Sequence, residues 1–527
     1  LCAPVDLLWN GGIGTYVKAS SESHAEVGDR SNDAVRVDGR QVRAKVVGEG
    51  GNLGFTQRGR IEYALRGGLI NTDFIDNSAG VDSSDHEVNI KILLDSVVAA
   101  GALTREERNA LLAEMTDEVA ELVLRDNYEQ ARALGLATVQ SESLLPVHRR
   151  MIHDLERSGQ LDRALEGLPT DEELTARVEA GQGGLTAPEF AVLMAYTKNS
   201  LAREIRDDAL PDEEWTRSVL VNYFPTPLRE RYAEWMTGHR LRREIITTVL
   251  VNEVVNRGGI TFVYRAVEET GASAADVIRA YVVVREVFGL TDLWAAVEAL
   301  DNRVSTQAQT TVYLEIRRLL DRAVRWLVAN RRSPLDVPGE IARLRPGVSR
   351  LLPNLDERFQ GSERAAVHAY TEKLVERGVP RDLAVRTTRL VYGFGLLDVV
   401  ETASATGRDV EEVAGVYFVL SERFRVDELL SKISLLPRED RWQTLARMAL
   451  RYDLYAALAA LTAEVLGSTP EDLPAEERVA QWEQANDAAI ARTRRAMAEF
   501  DDSRGDLAAL SVLLRQIRTL VRTSAAS

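Results

Sequence analysis

The sequence predicts two textures of fold in one chain: an α/β segment over residues 1–92, followed by a large all-α helical C-terminal region. Three observations predict this. The first ninety or so residues carry glycine clusters (Gly11-Gly12-Ile13-Gly14, Gly48-Glu49-Gly50-Gly51, Gly67-Gly68) between short β-branched runs. From about Ser84 onward the apolar residues recur with the 3.6-residue period of a helix. No strong strand run follows residue 100.

In order, Val35-Arg36-Val37, Asp38-Gly39 and Arg40-Gln41-Val42 read as a β-hairpin, because Asp-Gly supplies the positive φ angles of a tight two-residue turn. Residues 44–47 form a short apolar strand ending at Gly48, 57–66 fit a helix, and 69–75 are a second strand candidate. Strand, loop, helix, strand is half of a parallel α/β unit. In the helical region, Val312, Ile316, Leu319, Leu320, Ala323, Leu327 and Val328 share one stripe, with Arg317, Arg318, Asp321 and Arg325 opposite. Thr186-Ala187-Pro188-Glu189 is a capping box with proline in the first turn, opening a helix over about 190–201. Pro334, Pro338, Pro346 and Pro353 mark 332–354 as a linker-like segment, dividing the helical region into 93–331 and 355–527.

Composition narrows the function. Of 527 residues 45% are hydrophobic, enough to build cores and to exclude a wholly disordered chain. Lys+Arg come to 65 against 81 Asp+Glu, and a net charge of −16 argues against nucleic acid or anionic membrane as the main partner. The single cysteine, Cys2, permits no internal disulfide and suits a reducing cytoplasm. The longest apolar stretch, 454–463, is half of the roughly 20 residues a spanning helix needs. The chain opens Leu1-Cys2-Ala3-Pro4, without an initiator Met or a signal-peptide pattern, so a fragment lacking its N-terminal part is expected.

Two segments have the residues for chemistry. In Val46-Val47-Gly48-Glu49-Gly50-Gly51-Asn52-Leu53-Gly54-Phe55-Thr56, glycines and an asparagine follow a buried strand. Ligands of open parallel sheets lie beyond the carboxyl ends of strands, where glycine lets backbone approach closely and an amide both donates and accepts. Taken alone, this stretch reads first as a plain glycine turn with Asn in a left-handed conformation, and no complete G-x-G-x-x-G exists. In 72–87 a strand ends, a small-residue turn follows and a helix begins, offering free N–H groups to an anion such as a substrate carboxylate. Ser84 and Glu87 also fit an S-x-x-E capping box there. His86 invites a proton-shuttle reading, or one behind the site or on the helix surface; with Glu87 beside it in sequence and no second ligand nearby, a metal role is not expected. His148 and His153, five apart, miss the spacing that puts two ligands on one helical face. Asn252 and Asn256 share a helix face and read as register-fixing amides, and Arg240-Leu241-Arg242-Arg243 as a solvated face or an effector or subunit contact.

Together the segments resemble a known family. Glu49-Gly50-Gly51-Asn52 followed by Thr56 resembles the E-G-[AG]-N-x-x-x-T motif of glutamate dehydrogenases. Asp73, Asn77, Gly80, Val81, Ser84 and Glu87 fit that family's P-D-x-x-x-N-A-G-G-V-x-x-S-x-x-E motif without a gap, with Thr72 in place of the Pro and Ser78-Ala79 in place of Ala-Gly. Asn10-Gly11-Gly12-Ile13-Gly14-Thr15-Tyr16 and Val81-Asp82-Ser83-Ser84-Asp85-His86-Glu87-Val88-Asn89 resemble the large, NAD-specific bacterial class, as do Leu185-Thr186-Ala187-Pro188-Glu189 and residues 252–257 in its helical C-terminal region.

The resemblance implies a C-terminal portion of an NAD-dependent glutamate dehydrogenase, converting L-glutamate to 2-oxoglutarate and ammonium. Residues 1–92 would complete a Rossmann-like NAD-binding domain, with Asn52 along the nicotinamide ribose, Gly50 and Gly51 giving it room, and Asn77 at the nicotinamide end. Ser84 would bind the side-chain carboxylate of glutamate. The family's catalytic Lys and Asp would lie upstream of Leu1, so the fragment has no catalytic residue of its own and no metal site is implied. The helical region would serve assembly into a homo-oligomer or regulation by a small-molecule effector. Two rival readings remain at this level: a dehydrogenase of another amino acid such as leucine or phenylalanine, which the polar Ser84 disfavours, and a non-enzymatic helical scaffold, which Asn52, Asn77 and Ser84 disfavour.

Overall fold

Four short strands form in the N-terminal segment: β1 (Leu7–Asn10), β2 (Val17–Lys18), β3 (Val37–Asp38) and β4 (Val46–Glu49). The computed structural model describes residues 1–437, 440–501 and 506–524, so 438–439, 502–505 and 525–527 of the 355–527 segment lie outside the described residues. β1 and β4 pair in parallel, Leu7 opposite Val46 and Asn10 opposite Glu49. Val46 is also bridged in parallel to Leu69, the Val47 N–H donating to the Leu69 carbonyl at 2.9 Å. The helix Gln57–Leu65 fills the connection between them, so strand, helix and returning chain follow in the expected order. Val17, Val42, Ala44, Val47, Phe55, Tyr63 and Ile70 bury their side chains in one cluster beneath these elements. The Tyr63 hydroxyl donates to the Ala44 carbonyl at 2.8 Å, which satisfies its one buried polar atom.

Two of the expected strand features do not form. The hairpin over 35–42 is absent: β3 pairs in parallel with β2, and Gly39–Gln41 is a 3₁₀ turn. The Asp38 carboxylate is held by Lys18 at 2.5 Å, which keeps its pKa below the usual carboxylate value. Gly39 is a glycine because of packing, since a Cβ there would stand 2.6 Å from the Gly59 carbonyl oxygen. An Asp-Gly pair selected for close approach carries the same letters as one selected for a turn. The strand expected over 69–75 is reduced to the bridge at Leu69, and Asp73–Asp76 is a helical turn. Of its two carboxylates, Asp76 accepts the N–H of Glu49 at the end of β4 and Asp73 that of Leu53 in the loop after it.

Past this segment, among the described residues, every element is helical. The expected capping box at Thr186 forms, Glu189 accepting from the Thr186 N–H at 2.7 Å and from its hydroxyl at 2.8 Å, and opens the helix Ala187–Asp207. The stripe from Val312 lies on the helix Thr306–Asn330 and is buried at Val312, Ile316, Leu319, Leu320, Ala323 and Leu327. Arg317 and Arg325, expected on the wet face, are buried as well, and Arg325 donates back to the Asp321 carbonyl at 2.8 Å. Asn252 and Asn256 do not share a continuous α-helix, because Val254–Gly258 widens to a π-helical turn.

The chain divides into two compact units, Leu1–Ile278 and Arg279–Ser527, and the division falls within the helix Ala274–Val287. The proline-rich stretch 332–354 is mostly helix (Val337–Leu351) with Pro346 inside it. Leu344, Val348 and Leu351 are fully buried there, so apolar packing outweighs the punctuation that its prolines suggest. In the second unit, Arg478 is wholly buried, donating to Thr469 Oγ1 at 2.9 Å and to the Leu466 carbonyl at 3.0 Å while pairing with Glu412 at 2.5 Å.

Candidate functional site

The carboxyl edge of the β1–β4 pair is built around one buried carboxylate. Glu49 ends β4 with its side chain at 0% exposure. Its Oε2 accepts from Arg60 Nε at 2.6 Å, and its Oε1 from Arg60 Nη2 at 3.1 Å and from the Phe55 N–H at 3.0 Å. Arg60 also reaches Asp73 Oδ1 at 3.2 Å, so one guanidinium joins two carboxylates. Asp73 Oδ2 accepts the Leu53 N–H at 2.8 Å, and Asp76 Oδ2 accepts the Glu49 N–H at 3.0 Å. Leu53 sits at φ 62°, a left-handed conformation that the Asp73 acceptor holds in place. Thr56 closes the loop by capping the helix Gln57–Leu65, its hydroxyl accepting the Gly59 N–H at 2.9 Å. Burial pushes the Glu49 and Asp76 carboxyls above their ordinary pKa values, against the pull of Arg60 on each.

This frame brings Asn52 and Asn77 together. The Asn77 Nδ2 donates to Asn52 Oδ1 at 3.3 Å, with Asn52 exposed and Asn77 half-buried. Gly51 is required by the protein's own backbone, since a Cβ there would lie 2.7 Å from the Gly12 carbonyl oxygen, whereas one at Gly50 would lie 2.4 Å from the exposed Trp9 ring. Asn10, at the end of β1, has its Nδ2 buried without a hydrogen-bond partner.

Ser84 lies elsewhere on the same path. The helix expected to begin there begins at Ala79 instead and runs to Ala99, so Ser84 is exposed in its second turn. Inside a helix its N–H is committed to the carbonyl four residues back, so the free donors expected at Ser84 are not there. Glu87 pairs with Lys91 rather than closing a capping box. The spacing S-x-x-E is equally a pair three apart on a helix face, which is why the two could not be told apart by sequence. The turn leading into the helix is held by Asn127, whose Nδ2 donates to the Ile75 carbonyl at 2.8 Å and to Ser78 Oγ at 3.0 Å.

One turn further, burial lowers the pKa of His86, and burial together with Asp126 and Asp85 pushes Asp82 up to about 7. The remaining candidates have structural partners. His148 is buried edge-on to Phe190 with its pKa lowered to about 4 by burial, and His153 Nε2 lies 2.7 Å from Asp171 Oδ2. Arg242 and Arg243 both clamp Asp212. Arg60 is the residue that motif reading passed over, while Asn10 stood in a motif without a role assigned to it. A signal for Arg60 was present, since two acids, Glu49 and Asp73, flank apolar runs that need a cation between them.

A family model described as "Bacterial NAD-glutamate dehydrogenase, catalytic domain" matches residues 1–137, and one described as "Glutamate dehydrogenase, C-terminal" matches residues 182–519. The NAD-specific glutamate dehydrogenase of Mycobacterium tuberculosis is 47% identical over 525 residues, covering 99% of this chain and 32% of that protein. The proteins of the same name from Pseudomonas aeruginosa and Halomonas elongata are 45% and 42% identical over the same length, again covering 99% of this chain and 32% of each relative. The chain thus spans about a third of the length of the curated relatives it matches. With 182–519 matched to the C-terminal region and 1–137 to the catalytic domain ahead of it, the chain belongs to the glutamate dehydrogenase family.

Proposed function

We propose that this chain supplies the cofactor wall and the helical C-terminal region of an NAD-dependent enzyme that oxidatively deaminates L-glutamate to 2-oxoglutarate and ammonium. The observation that carries the reading is the contact at 3.3 Å between Asn77 and Asn52, two amides from separate motifs meeting at the carboxyl edge of parallel strands. The donor set suits a dinucleotide: neutral amides that donate and accept at Asn52 and Asn77, and an unpartnered buried amide at Asn10. In this reading residues 1–92 complete a Rossmann-like domain, Asn52 lies along the nicotinamide ribose and Asn77 at the nicotinamide end. Held along Asn52 and Asn77, NAD would supply the hydride acceptor for the substrate Cα. Ser84, exposed two turns beyond Asn77, donates its hydroxyl to the side-chain carboxylate of glutamate. The same reading carries a cytoplasmic homo-oligomer; among the described residues no helix is long and apolar enough to cross a membrane.

Hydride transfer requires cofactor and amino acid in one closed cleft, and this chain offers one wall of it. Residues 1–527 alone are therefore expected to show no glutamate-dependent NAD reduction, and such reduction would overturn that part of the proposal. Joined to the preceding region of one of its relatives, the chain is expected to restore activity. In that protein Ser84→Ala raises KM for glutamate about 10-fold or more while KM for NAD holds, the loss of one hydrogen bond to a charged group being worth about 1.5–3 kcal/mol. Asn52→Ala does the reverse. An unchanged KM for glutamate in Ser84→Ala removes Ser84 from the site.

A further inference from the structure

The helices Ala79–Ala99 and Thr116–Val139 bring together three ligating groups that the dehydrogenase reading does not use. Asp82 and His86, four residues apart, share one face of the first helix, and Asp126 meets them from the second. One oxygen of each carboxylate and one ring nitrogen of His86 all lie within 4.8 Å of one another.

The histidine is what distinguishes this cluster from a chance gathering of acids. Its residue is 3% exposed, and its ring lies flat against Tyr223 with centroids 4.7 Å apart and planes at 13°. That stacking fixes the imidazole so that Nε2 faces Asp82 Oδ1 at 3.9 Å, too long for a hydrogen bond. Asn89 holds Tyr223 from the other end, its Nδ2 donating to the Tyr223 hydroxyl at 2.9 Å. Nδ1 of His86 and Oδ2 of Asp82 are both buried without a hydrogen-bond partner. Buried polar atoms left unsatisfied are costly, and the Asp82 carboxylate, with Oδ2 orphaned, faces His86 Nε2 without a hydrogen bond between them, so a group ligated by both would relieve that cost. Burial also favours the neutral imidazole, which is the form that ligates.

We propose that Asp82, His86 and Asp126 form a divalent-cation site. Two carboxylate oxygens and one imidazole nitrogen suit a cation of borderline hardness, such as Zn²⁺ or Mn²⁺, with water completing its coordination. The location gives the cation leverage on the candidate cofactor edge. Asn127, adjacent to Asp126, holds the turn at Ile75 and Ser78 that carries Asn77, so fixing Asp126 also fixes that turn. The neighbouring positive charges are Lys198, whose Nζ donates to Gln130 Oε1 at 3.3 Å, and Arg125. A proton shared between Asp82 and Asp126 is the competing way to relieve the two carboxylates.

The test uses the whole 527-residue chain, stripped with a chelator and titrated by calorimetry with Zn²⁺ and, separately, with Mn²⁺. The expected result is one equivalent per chain of at least one of the two metals. The affinity is expected to fall about 10-fold or more in His86→Gln and in Asp126→Asn, as loss of ligands or of their supports does at built sites, and to hold in His153→Gln, whose ring lies on the surface. Circular dichroism confirms that each variant is folded, and if Asp126→Asn is not, His86→Gln carries the comparison. Absence of stoichiometric binding in the wild-type chain, or equal affinity in wild type and His86→Gln, overturns the site and leaves the shared proton. Because binding is read directly, failure here leaves the dehydrogenase reading untouched, and absence of NAD-linked activity leaves this one untouched.

Discussion

Arg60 does more for the candidate site than any residue that would touch a cofactor. It neutralises Glu49 and Asp73 together, and through them fixes the Leu53 and Phe55 amides of the loop. Removing one partner of a buried ion pair leaves an uncompensated charge, which typically costs about 3–5 kcal/mol. Arg60→Ala is expected to lower stability by about that amount at pH 8, measured by urea unfolding. The pH dependence follows from Glu49, whose folded-state pKa is already raised by burial. Without Arg60 it rises further, the folded form prefers the protonated acid, and the loss shrinks toward pH 4–5. A loss independent of pH would mean that packing of the Arg60 stem, not its charge, is what counts. The same logic explains why Asn10, quoted in a motif, received no role of its own: that its amide is orphaned is a property of surroundings, and the sequence records only the residue type.

At the scale of elements, glycine placement decides how the N-terminal segment packs. The helix Gln57–Leu65 carries Gly59 in its interior, where alanine would ordinarily be favoured by about 1 kcal/mol. A Cβ at Gly59 would stand 2.9 Å from the Lys18 backbone carbonyl carbon, so the helix could no longer seat against β2. Gly59→Ala is therefore expected to destabilise by about 1–3 kcal/mol despite its better helix propensity, read as a lower Tm. Gly50→Ala meets a different neighbour, the Trp9 ring, which is 60% exposed and free to swing outward. It is expected to shift tryptophan fluorescence with a smaller change in Tm. The reverse ranking of the two variants would sink this account of the glycines. Only the order of strand, helix and a returning chain bridged in parallel at Leu69 was legible here from pattern. The Asp38-Gly39 turn and the strand through Ile75 were not, because their letters serve side-chain contacts to residues about 20 or more positions away.

For the whole molecule, the second compact unit carries a pH dependence of its own. Asp398 and Glu363 are buried, and desolvation pushes each carboxyl up to about 7 from an ordinary 3.8 and 4.5. Asp398 has Trp326 Nε1 at 2.8 Å as its donor, and Ser421 donates to Glu363 at 2.6 Å, neither enough to offset burial. Groups with raised folded-state pKa contribute stability below pH 4 that is lost as pH rises to about 7. Asp398→Asn keeps an acceptor for Trp326 without a charge to bury. It is expected to stabilise the chain by on the order of 1–3 kcal/mol at pH 8, with the gain vanishing near pH 4, as followed by thermal unfolding across that range. A gain of equal size at both pH values would show that the charge is not the cause.

The sequence by itself determined the helical class of the region after residue 100, the Thr186 cap, the apolar stripe from Val312 and the two motifs at Asn52 and Asn77, because each is written in residues a few positions apart. Only the tertiary structure decided that those two motifs meet, that Ser84 lies inside a helix rather than at its start, and that 332–354 is helix rather than linker. It also decided that Arg60 joins Glu49 to Asp73 and that His86 faces Asp82 and Asp126. Local pattern fixes what a segment prefers. Which of two compatible roles a serine, a glycine or a histidine takes depends on the groups that burial brings beside it.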